Sequence, residues 1–309
     1  MSWRVRVPAS SANLGPGFDA IGLALDLHLT CSFRRAERLC ISARGVDACG
    51  IPNDESNLIW RTALTVASDV GGKLPPICLD IDNAIPLGKG LGSSAAALTA
   101  GVVIAHQLLD LKWSRRKILD EAAKIEGHPD NVAACVLGSI VASTIDSKGF
   151  THAVRLELPA SYEVAVIVPN FALPTAEARA VLPDAYSRAD VVFNVQRSAL
   201  LMAALCTGST DSFSAALEDR IHQPYRAKLV PGFTEMLEVK APGLLGCALS
   251  GAGPSVLVFF ERGKEEIPLL FEDIFRKHGK EAQAYFTDIQ RNGFTIEELR
   301  EHTAFGPWP

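Results

Sequence analysis

A glycine-rich segment followed by two serines is the part of the sequence best suited to chemistry. It reads PLGKGLGSSAAALTAG over residues 86–101, with three glycines before Ser93 and Ser94 and an alanine-rich run after them. Glycine lets backbone N–H groups approach an anion closely, and a helix N-terminus adds roughly half a positive charge. The pattern predicts a phosphate site, although the usual G-x-x-x-x-G-K-[ST] loop is absent. A flexible turn before a buried helix is the alternative.

The flanking patterns predict the elements that hold this loop. Ile77–Asn83 alternates apolar and polar residues and predicts a strand that leads into it. Ser94–Leu111 predicts a helix that leaves it, and Lys117–Ile125 predicts a second helix with the segment Glu126–Asn131 at its end or in the next loop. This order of strand, loop and helix would place the glycines at a helix N-terminus.

The remaining patterns predict a mixed α+β fold in two lobes. We expect an N-terminal lobe of residues 1–158 and a C-terminal lobe of residues 159–309. The segment LPASYE, which begins at Leu158, marks the boundary between them. Other strands are predicted at Trp3–Ala9, in a hairpin across residues 146–149, at Val164–Pro169, around residues 250–255 and at Ala282–Asp288, and other helices at Asn57–Val70, Asp190–Cys206 and Pro268–His278.

Composition limits the class of protein. The 309 residues are 48% hydrophobic and carry a net charge of −5, which argues against a nucleic-acid or anionic-membrane partner. Seven cysteines, an odd number without a C-x-x-C motif, indicate reduced thiols in a cytoplasmic protein. The N-terminus lacks the apolar segment of a signal peptide, and the longest apolar run, within residues 95–105, is too short to span a bilayer.

Two more motifs accompany the phosphate loop: VPASSANLGPGFDAIGLAL at residues 7–25 and LSGAGPSVLVF at residues 249–259. In this order and at these separations, the three motifs resemble those of the GHMP kinases, a family named for galactokinase, homoserine kinase, mevalonate kinase and phosphomevalonate kinase. The resemblance covers nearly the whole chain and implies a two-lobed GHMP kinase fold with a ribosomal-S5-like N-terminal lobe and a ferredoxin-like C-terminal lobe. Within the family, PASSANLGPGFD and EGHPDN look like the homoserine kinases.

For ATP, the resemblance implies that the backbone of the central loop wraps the phosphates. Lys89 falls at a variable position of the motif, so a solvated loop lysine is its alternative interpretation. Asn57, in the segment ESNL, would line the adenine pocket, although a helix N-cap is a rival role for it. The ATP-binding residues implied are Pro86, Leu87, Gly88, Lys89, Gly90, Leu91, Gly92, Ser93, Ser94, Ala95, Ala96 and Asn57.

Metal binding and catalysis are implied for the segment EGHPDN. Mg²⁺ prefers hard oxygen ligands, and the resemblance makes Glu126 and the Ser94 hydroxyl its ligands; a surface glutamate is the alternative for Glu126. The implied catalytic residues are Glu126, Asn131, Asp130 and Ser94. Mevalonate-kinase relatives use an aspartate base, and Asp130 lies at the comparable position, but we favour a structural or positioning role for it.

A substrate that is a hydroxylated amino acid needs a cation for its carboxylate and oxygens for its ammonium group. Arginine suits a carboxylate because its planar fork binds through two hydrogen bonds. The resemblance assigns the substrate to Asn13, Asp19, His128, Asn131, Arg179 and Arg226. Without it, Arg179 would be interpreted as a helix surface charge and His128 as a structural histidine.

The implied function is ATP-dependent phosphorylation of L-homoserine to O-phospho-L-homoserine, a step of threonine biosynthesis, with Mg²⁺ as the metal. The implied partners are these small molecules, without nucleic acid or membrane, and a homodimer is compatible with the sequence. The alternatives are a GHMP kinase acting on another small alcohol such as mevalonate, and a non-catalytic GHMP-fold ligand-binding protein. The third motif, SGAGPS, would support the nucleotide loop from the C-terminal lobe, unless it is only a tight turn.

Overall fold

Two β-sheets with helices packed against them organise the computed structural model, which describes residues 1–156 and 162–299. The strands are β1 (Ser2–Asn13), β2 (Gly17–Arg35), β3 (Cys40–Gly45), β4 (Ile77–Asn83), β5 (Ile140–Ile145), β6 (Thr151–Leu156), β7 (Glu163–Pro169), β8 (Leu244–Leu249), β9 (Val256–Phe260), β10 (Ala282–Thr287) and β11 (Thr295–Leu299). The helices are α1 (Leu58–Asp69), α2 (Ser93–Leu108), α3 (Arg115–Glu126), α4 (Asp130–Leu137), α5 (Thr175–Ala180), α6 (Arg188–Thr207), α7 (Phe213–Ala216), α8 (Gln223–Arg226), α9 (Phe233–Glu238) and α10 (Glu266–Lys277). The α+β prediction is confirmed.

The first sheet is built around the long strand β2. Its residues 29–35 pair with β4 and its residues 21–23 pair with β5, so the sheet has the order β11-β1-β2-β4-β3 with the β5–β6 hairpin as a branch. Alternate residues of β4 are buried, as expected where one face of a sheet packs on the core. Helices α2 and α4 pack against β1 and β2, which fixes the N-terminal ends of both helices relative to the first motif.

The second sheet has the strand order β10-β7-β9-β8, and all of its neighbours are antiparallel. In chain order this is 4-1-3-2, with α6 between the first two strands and α10 between the last two. That arrangement is the β-α-β-β-α-β ferredoxin-like motif, so the fold expected for the C-terminal part is confirmed. Helix α10 buries Ile267, Phe271 and Phe275, whose spacing of four residues places them on one face.

The C-terminal end of the described chain returns to the first sheet. Strand β11 pairs antiparallel with β1, and Phe294 N donates to Cys135 O at 2.8 Å. Strand β11, which lies within the predicted C-terminal lobe of residues 159–309, is thus an edge strand of the first sheet, and such pairing between distant segments leaves no local sequence signal. The predicted boundary after residue 158 lies outside the described residues and stays a prediction.

Helix α6 is the one element of the described chain that is long and apolar enough to cross a membrane by length and composition alone, and 22% of its apolar window is buried. A core helix of a protein that never meets a membrane passes the same test. In this helix, Asn194 Nδ2 donates to Pro16 O at 3.2 Å, and Ser198 Oγ donates to the same oxygen at 2.7 Å. One face of α6 thus binds the turn between β1 and β2.

Candidate active site

A cavity of about 280 Å³ lies where segments from both sheets meet. It brings together thirteen residues that the sequence singled out: Asn13, Asp19, Gly88, Gly90, Gly92, Ser93, Ser94, Glu126, His128, Asp130, Asn131, Arg179 and Arg226. Leu173, Pro174 and Thr175 also line it and were not predicted, and Gly251 and Ala252 of the third motif, SGAGPS, line it as well. All three motifs therefore contribute to one cavity.

The other predicted ATP-binding residues lie around this cavity without lining it. Leu91, Ala95 and Ala96 are buried in the core. Pro86 and Lys89 line a neighbouring cleft together with Asp47. Leu87 N donates to Asp47 Oδ2 at 2.9 Å, which ties the loop to the segment after β3.

Asn57 has the rival role that the sequence left open. Its Oδ1 accepts from Ile59 N at 3.0 Å and Trp60 N at 3.4 Å, and its Nδ2 donates to Pro52 O at 2.7 Å. The side chain is buried and caps helix α1. A contact with adenine stays a prediction.

Each of the four carbonyl groups from Gly88 to Leu91 accepts a hydrogen bond from outside the loop. The donors, in the order of these carbonyls, are Leu173 N at 3.1 Å, Ser255 N at 3.3 Å, Ser250 Oγ at 2.7 Å and Ser10 N at 3.1 Å. Within the described chain, the N–H groups of residues 88–95 donate no hydrogen bond. Uncommitted N–H groups at a helix N-terminus form an anion site.

The glycines of the loop are required by close packing as well as by their backbone conformation. Gly90 has φ +77° and Gly92 has φ +66°, in the left-handed region that favours glycine. A Cβ at Gly90 would collide with Ser250 O, and one at Gly92 would collide with Ser10 Oγ. The segment is therefore packed between the first and third motifs, unlike the flexible turn of the alternative interpretation.

Two carboxylates face the phosphate loop. Glu126 is the last residue of α3, and Asp130 is the first residue of α4 after a turn through Gly127 with φ +87°. Burial, and then the charge of Asp130, raise the pKa of Glu126 to about 7, while Ser94 lowers it less. Burial raises the pKa of Asp130 to about 6, and hydrogen bonds from Asn131 oppose that shift. The two groups thus form a concentration of poorly compensated negative charge.

This charge fits a divalent cation. Residues 1–156 and 162–299 contain no group of three His, Cys, Asp or Glu side chains that could hold a metal. Mg²⁺ commonly takes one or two protein carboxylates and completes its shell with water and phosphate oxygens. Glu126 with the Ser94 hydroxyl matches that donor set. The nearby His128 has its Nδ1 4.0 Å from Glu126 Oε1. Burial, and then the charge of Arg179, lower the pKa of His128.

The opposite side of the cavity is cationic. Arg179 Nη1 donates to Asp19 Oδ2 at 3.1 Å, and its Nη2 donates to Asp19 Oδ1 at 2.7 Å. Arg226 is 1% exposed, and burial, followed by the charge of Arg179, lowers its pKa to about 10. Both arginines are therefore charged at neutral pH, but only one of them has a carboxylate partner in the described chain.

The turn between β1 and β2 shapes this cationic side. Asn13 and Asp19 have φ of +72° and +55°, conformations that non-glycine residues adopt at a cost and mostly at functional sites. Asn13 Oδ1 accepts from Asp19 N at 3.0 Å, and Asn13 Nδ2 donates to Gly251 O at 2.8 Å. These bonds account for the unusual backbone and join the first motif to the third.

Several residues that support the site were missed by sequence reasoning. Ser10 Oγ donates to Asn131 Oδ1 at 2.8 Å, and Ser10 lies inside the first motif, so the motif itself could have indicated it. Thr175 precedes Arg179 in TAEAR by four residues, one helical turn, which was also readable. His222 precedes Arg226 by four residues, again one helical turn, and its Nδ1 accepts from Arg226 Nη1 at 3.1 Å. Asp219, which accepts from His222 N at 2.9 Å, gave no signal.

The fold and this cavity define a small-molecule kinase of the GHMP type, and comparison with known proteins supports that class. The family's N-terminal domain matches residues 57–139, and its C-terminal domain matches residues 201–279. A homoserine kinase of Solibacter usitatus is 65% identical over 296 residues, 96% of this chain and 97% of that relative. A homoserine kinase of Deinococcus radiodurans is 44% identical over 299 residues, 96% of this chain and 97% of that relative.

A solved structure agrees with these sequence relatives. The crystal structure of homoserine kinase from Cytophaga hutchinsonii superposes with a TM-score of 0.83 at 28% identity and covers 96% of this chain and 97% of that one. Galactokinase from Lactococcus lactis, at 16% identity and a TM-score of 0.69, shares the fold. The chain belongs to the GHMP kinase family, in its homoserine kinase branch.

The carboxylate environment predicts a pH-dependent stability. Glu126 has an ordinary pKa of 4.5 and a pKa of about 7 in the fold, so the folded state binds the extra proton. Its contribution to the free energy of unfolding is complete below about pH 4.5 and is lost as the pH rises through about 7. Glu126→Gln should remove this loss, making the variant more stable than the parent at pH 8 by on the order of 3 kcal/mol.

Urea unfolding at pH 5 and pH 8, without nucleotide or metal, measures this difference. The control is Glu238→Gln, which changes an exposed glutamate and should leave the pH dependence intact. A Glu126→Gln variant that loses as much stability between the two pH values as the parent would contradict the assigned environment.

Proposed function

We propose that this chain transfers the γ-phosphoryl group of ATP to the side-chain hydroxyl of L-homoserine. One observation carries the proposal. The same cavity contains a loop whose backbone N–H groups are free to bind a ligand, and two charged arginines with an aspartate. The first feature suits a polyphosphate, and the second suits a molecule that has both a carboxylate and an ammonium group. The homoserine kinases among its relatives support the same substrate.

The nucleotide end uses charge and position. The N–H groups of residues 88–95 and the positive end of α2 would bind the phosphates. Glu126 and Ser94 would hold Mg²⁺, which when bound supplies positive charge to the β and γ phosphates. The carbonyl anchors of the loop would keep this geometry fixed during transfer, so that little reorganisation is needed as charge develops.

The substrate end uses the two arginines and Asp19. Arg226 and Arg179 would bind the carboxylate of homoserine, and Asp19 with Asn13 would bind its ammonium group. Asp19 pairs with Arg179 without substrate, so the ammonium group would share this carboxylate. These contacts would direct the hydroxyl group of homoserine towards Asn131 and the phosphate loop.

In the transfer, a bond forms between the homoserine oxygen and the γ-phosphorus, and the bond from that phosphorus to the bridging oxygen of ADP breaks. We propose that Asp130 positions the reactants, because its Oδ1 accepts from Asn131 N at 2.7 Å and from Asn131 Nδ2 at 3.4 Å. Asn131 in turn accepts from Ser10. The hydroxyl proton would pass to an oxygen of the transferred phosphoryl group.

A cytoplasmic location, with small-molecule substrates and neither nucleic acid nor membrane as partner, completes the proposal. The net charge of −5 and the odd cysteine count support both. A homodimer stays a prediction.

Substrate preference tests the proposal. We expect ADP release with L-homoserine to exceed that with mevalonate by about 10–100-fold in kcat/KM, because mevalonate lacks the ammonium group and leaves Asp19 without its ligand. A coupled assay with both alcohols, and with serine and threonine, measures it. Equal or higher activity with mevalonate would refute the homoserine assignment in favour of another GHMP kinase. No ADP release with any alcohol would favour a ligand-binding protein.

Glu126→Gln tests the metal ligand. The amide keeps the shape but removes the charge that attracts the cation, so kcat should fall and the Mg²⁺ concentration for half-maximal rate should rise by about tenfold. Titration of Mg²⁺ at saturating ATP measures this, with Glu238→Gln as the matched control. A loss of rate with an unchanged Mg²⁺ requirement would mean that Glu126 does not hold the ion.

Asp130→Asn separates positioning from base catalysis. A positioning role predicts a kcat loss below about tenfold and a retained acidic limb in the pH profile, whereas loss of a general base costs about 10²–10⁴-fold. The limb should persist in a positioning role, because Asp130 then takes no proton from the substrate hydroxyl. A base-sized loss together with disappearance of the limb would show that Asp130 accepts the hydroxyl proton. Asp184→Asn, an exposed aspartate, is the control.

A further inference from the structure

Phe18 is an aromatic side chain between charged residues of the substrate end. It directly precedes Asp19 in the first motif and is half-buried. The guanidinium carbon of Arg179 lies 5.4 Å from the centre of its ring, and that of Arg226 lies 5.2 Å from it. A cation within about 6 Å of a ring face is attracted by the negative face of the π-system. One ring therefore contacts both arginines of the cavity.

Arg226 is a buried cation without a carboxylate of its own. In the described part of the chain it forms no ion pair, and its Nε and Nη1 donate to neutral acceptors, Ala178 O at 3.0 Å and Gly251 O at 3.2 Å. Arg179 takes both oxygens of Asp19. Asp19 and Asp219 act on Arg226 only beyond ion-pair distance, the two guanidinium groups repel each other, and a buried charge is expensive unless something compensates it.

His222 cannot supply that compensation as an anion, but it fixes the geometry. Its ring stacks on Phe18 with centroids 5.2 Å apart. Nε2 donates to Gly15 O at 2.7 Å, which leaves Nδ1 to accept from Arg226 Nη1 at 3.1 Å. Burial lowers the pKa of His222 to about 4, so the imidazole is neutral and acts as an acceptor.

Arg179 adds a second sign of the ring's importance. Its Nε is buried without a hydrogen-bond partner in the described chain. An unpaired buried donor is costly, and an aromatic face is a weak acceptor for N–H groups. Both cations thus rely on the ring for part of their compensation.

We propose that Phe18 is a specificity-determining positioning residue, whose ring face holds Arg179 and Arg226 side by side so that together they bind the carboxylate of an amino-acid substrate. The inference rests on the proposed function and names the residue that sets its preference for a carboxylate. Without the ring, repulsion would separate the guanidinium groups and the two-armed carboxylate site would be lost.

Phe18→Leu removes the π-face while keeping an apolar side chain of similar bulk. We expect its KM for L-homoserine to rise by about tenfold, the factor produced by about 1.4 kcal/mol of lost interaction, with kcat and the KM for ATP changed by less than about twofold. Phe18→Tyr retains the ring and should restore near-parental kinetics. Phe193→Leu is the matched control, because Phe193 also carries two guanidinium groups, those of Arg197 at 4.1 Å and Arg220 at 3.9 Å, outside the cavity.

A substrate without the carboxylate makes the test specific. L-homoserinol has a hydroxymethyl group in place of the carboxylate, so Phe18→Leu should leave its kcat/KM unchanged within about twofold while that of homoserine falls. Equal losses with both substrates would overturn the proposal, since they would indicate a general disturbance of the site. A Phe18→Tyr variant as impaired as Phe18→Leu, or unchanged homoserine kinetics in Phe18→Leu, would also overturn it.

A readout without turnover separates this inference from the proposed function. In ¹⁵N-arginine-labelled protein, the Nε–H resonances of Arg179 and Arg226, assigned with Arg179→Lys and Arg226→Lys, should shift in Phe18→Leu and stay in place in Phe193→Leu. Unshifted resonances would overturn the inference. If the resonances shift in Phe18→Leu but the parent protein is inactive with homoserine, only the proposed function is refuted.

Discussion

The site depends on where the carbonyl groups of the phosphate loop are directed. Their four acceptor positions from Gly88 to Leu91 are filled by donors from β1, from the segment before α5 and from the turn between β8 and β9. Because a peptide unit presents its N–H and C=O on opposite sides, engaging the carbonyls outside the loop leaves the N–H groups for a ligand. A phosphate site built in this way needs no Lys of the usual phosphate loop, but it needs all three motifs in place.

That constraint explains why the two sheets must pack together. Two of the four donors, Ser250 and Ser255, flank a turn of the second sheet, whereas Ser10 belongs to the first sheet. The same turn supplies Gly251, whose N donates to Ala12 O at 3.0 Å and whose O accepts from Asn13. The interface between the sheets is therefore itself the wall of the cavity, and the nucleotide and substrate ends are fixed by one set of hydrogen bonds.

Sequence patterns were sufficient to predict several of the helices and strands that form this fold. Strand β4 has the predicted bounds, and α1, α2, α6 and α10 lie within a few residues of the predicted helices, because long amphipathic or apolar segments flanked by glycine or capping residues carry a local signal. The short helix α4 was missed, since it starts directly after a proline inside EGHPDN, where the pattern indicates a loop. Strand β11 was missed because its partner is the N-terminal strand, almost 300 residues away along the chain.

For the site, the residue types in the motifs identified most of the cavity lining but not its electrostatics. The motif EGHPDN could not show that burial raises the pKa of Glu126 to about 7 and that of Asp130 to about 6. The opposite wall could not be assembled from sequence either, because Phe18 meets His222 and Arg226 only where the segment around α8 packs against the first motif.

The two walls of the cavity pose opposite problems of charge, and the structure keeps them apart. Glu126 and Asp130 are short of positive charge on one side, while Arg226 is short of negative charge on the other. Joining them directly would neutralise both and leave nothing to attract ligands. Instead, the neutral His222 and the ring of Phe18 occupy the first contacts of Arg226, and Asn131 occupies those of Asp130. The fold thus retains unsatisfied charge at both ends, at a cost to its own stability, and that charge is what a cation with phosphates and an amino-acid carboxylate would satisfy.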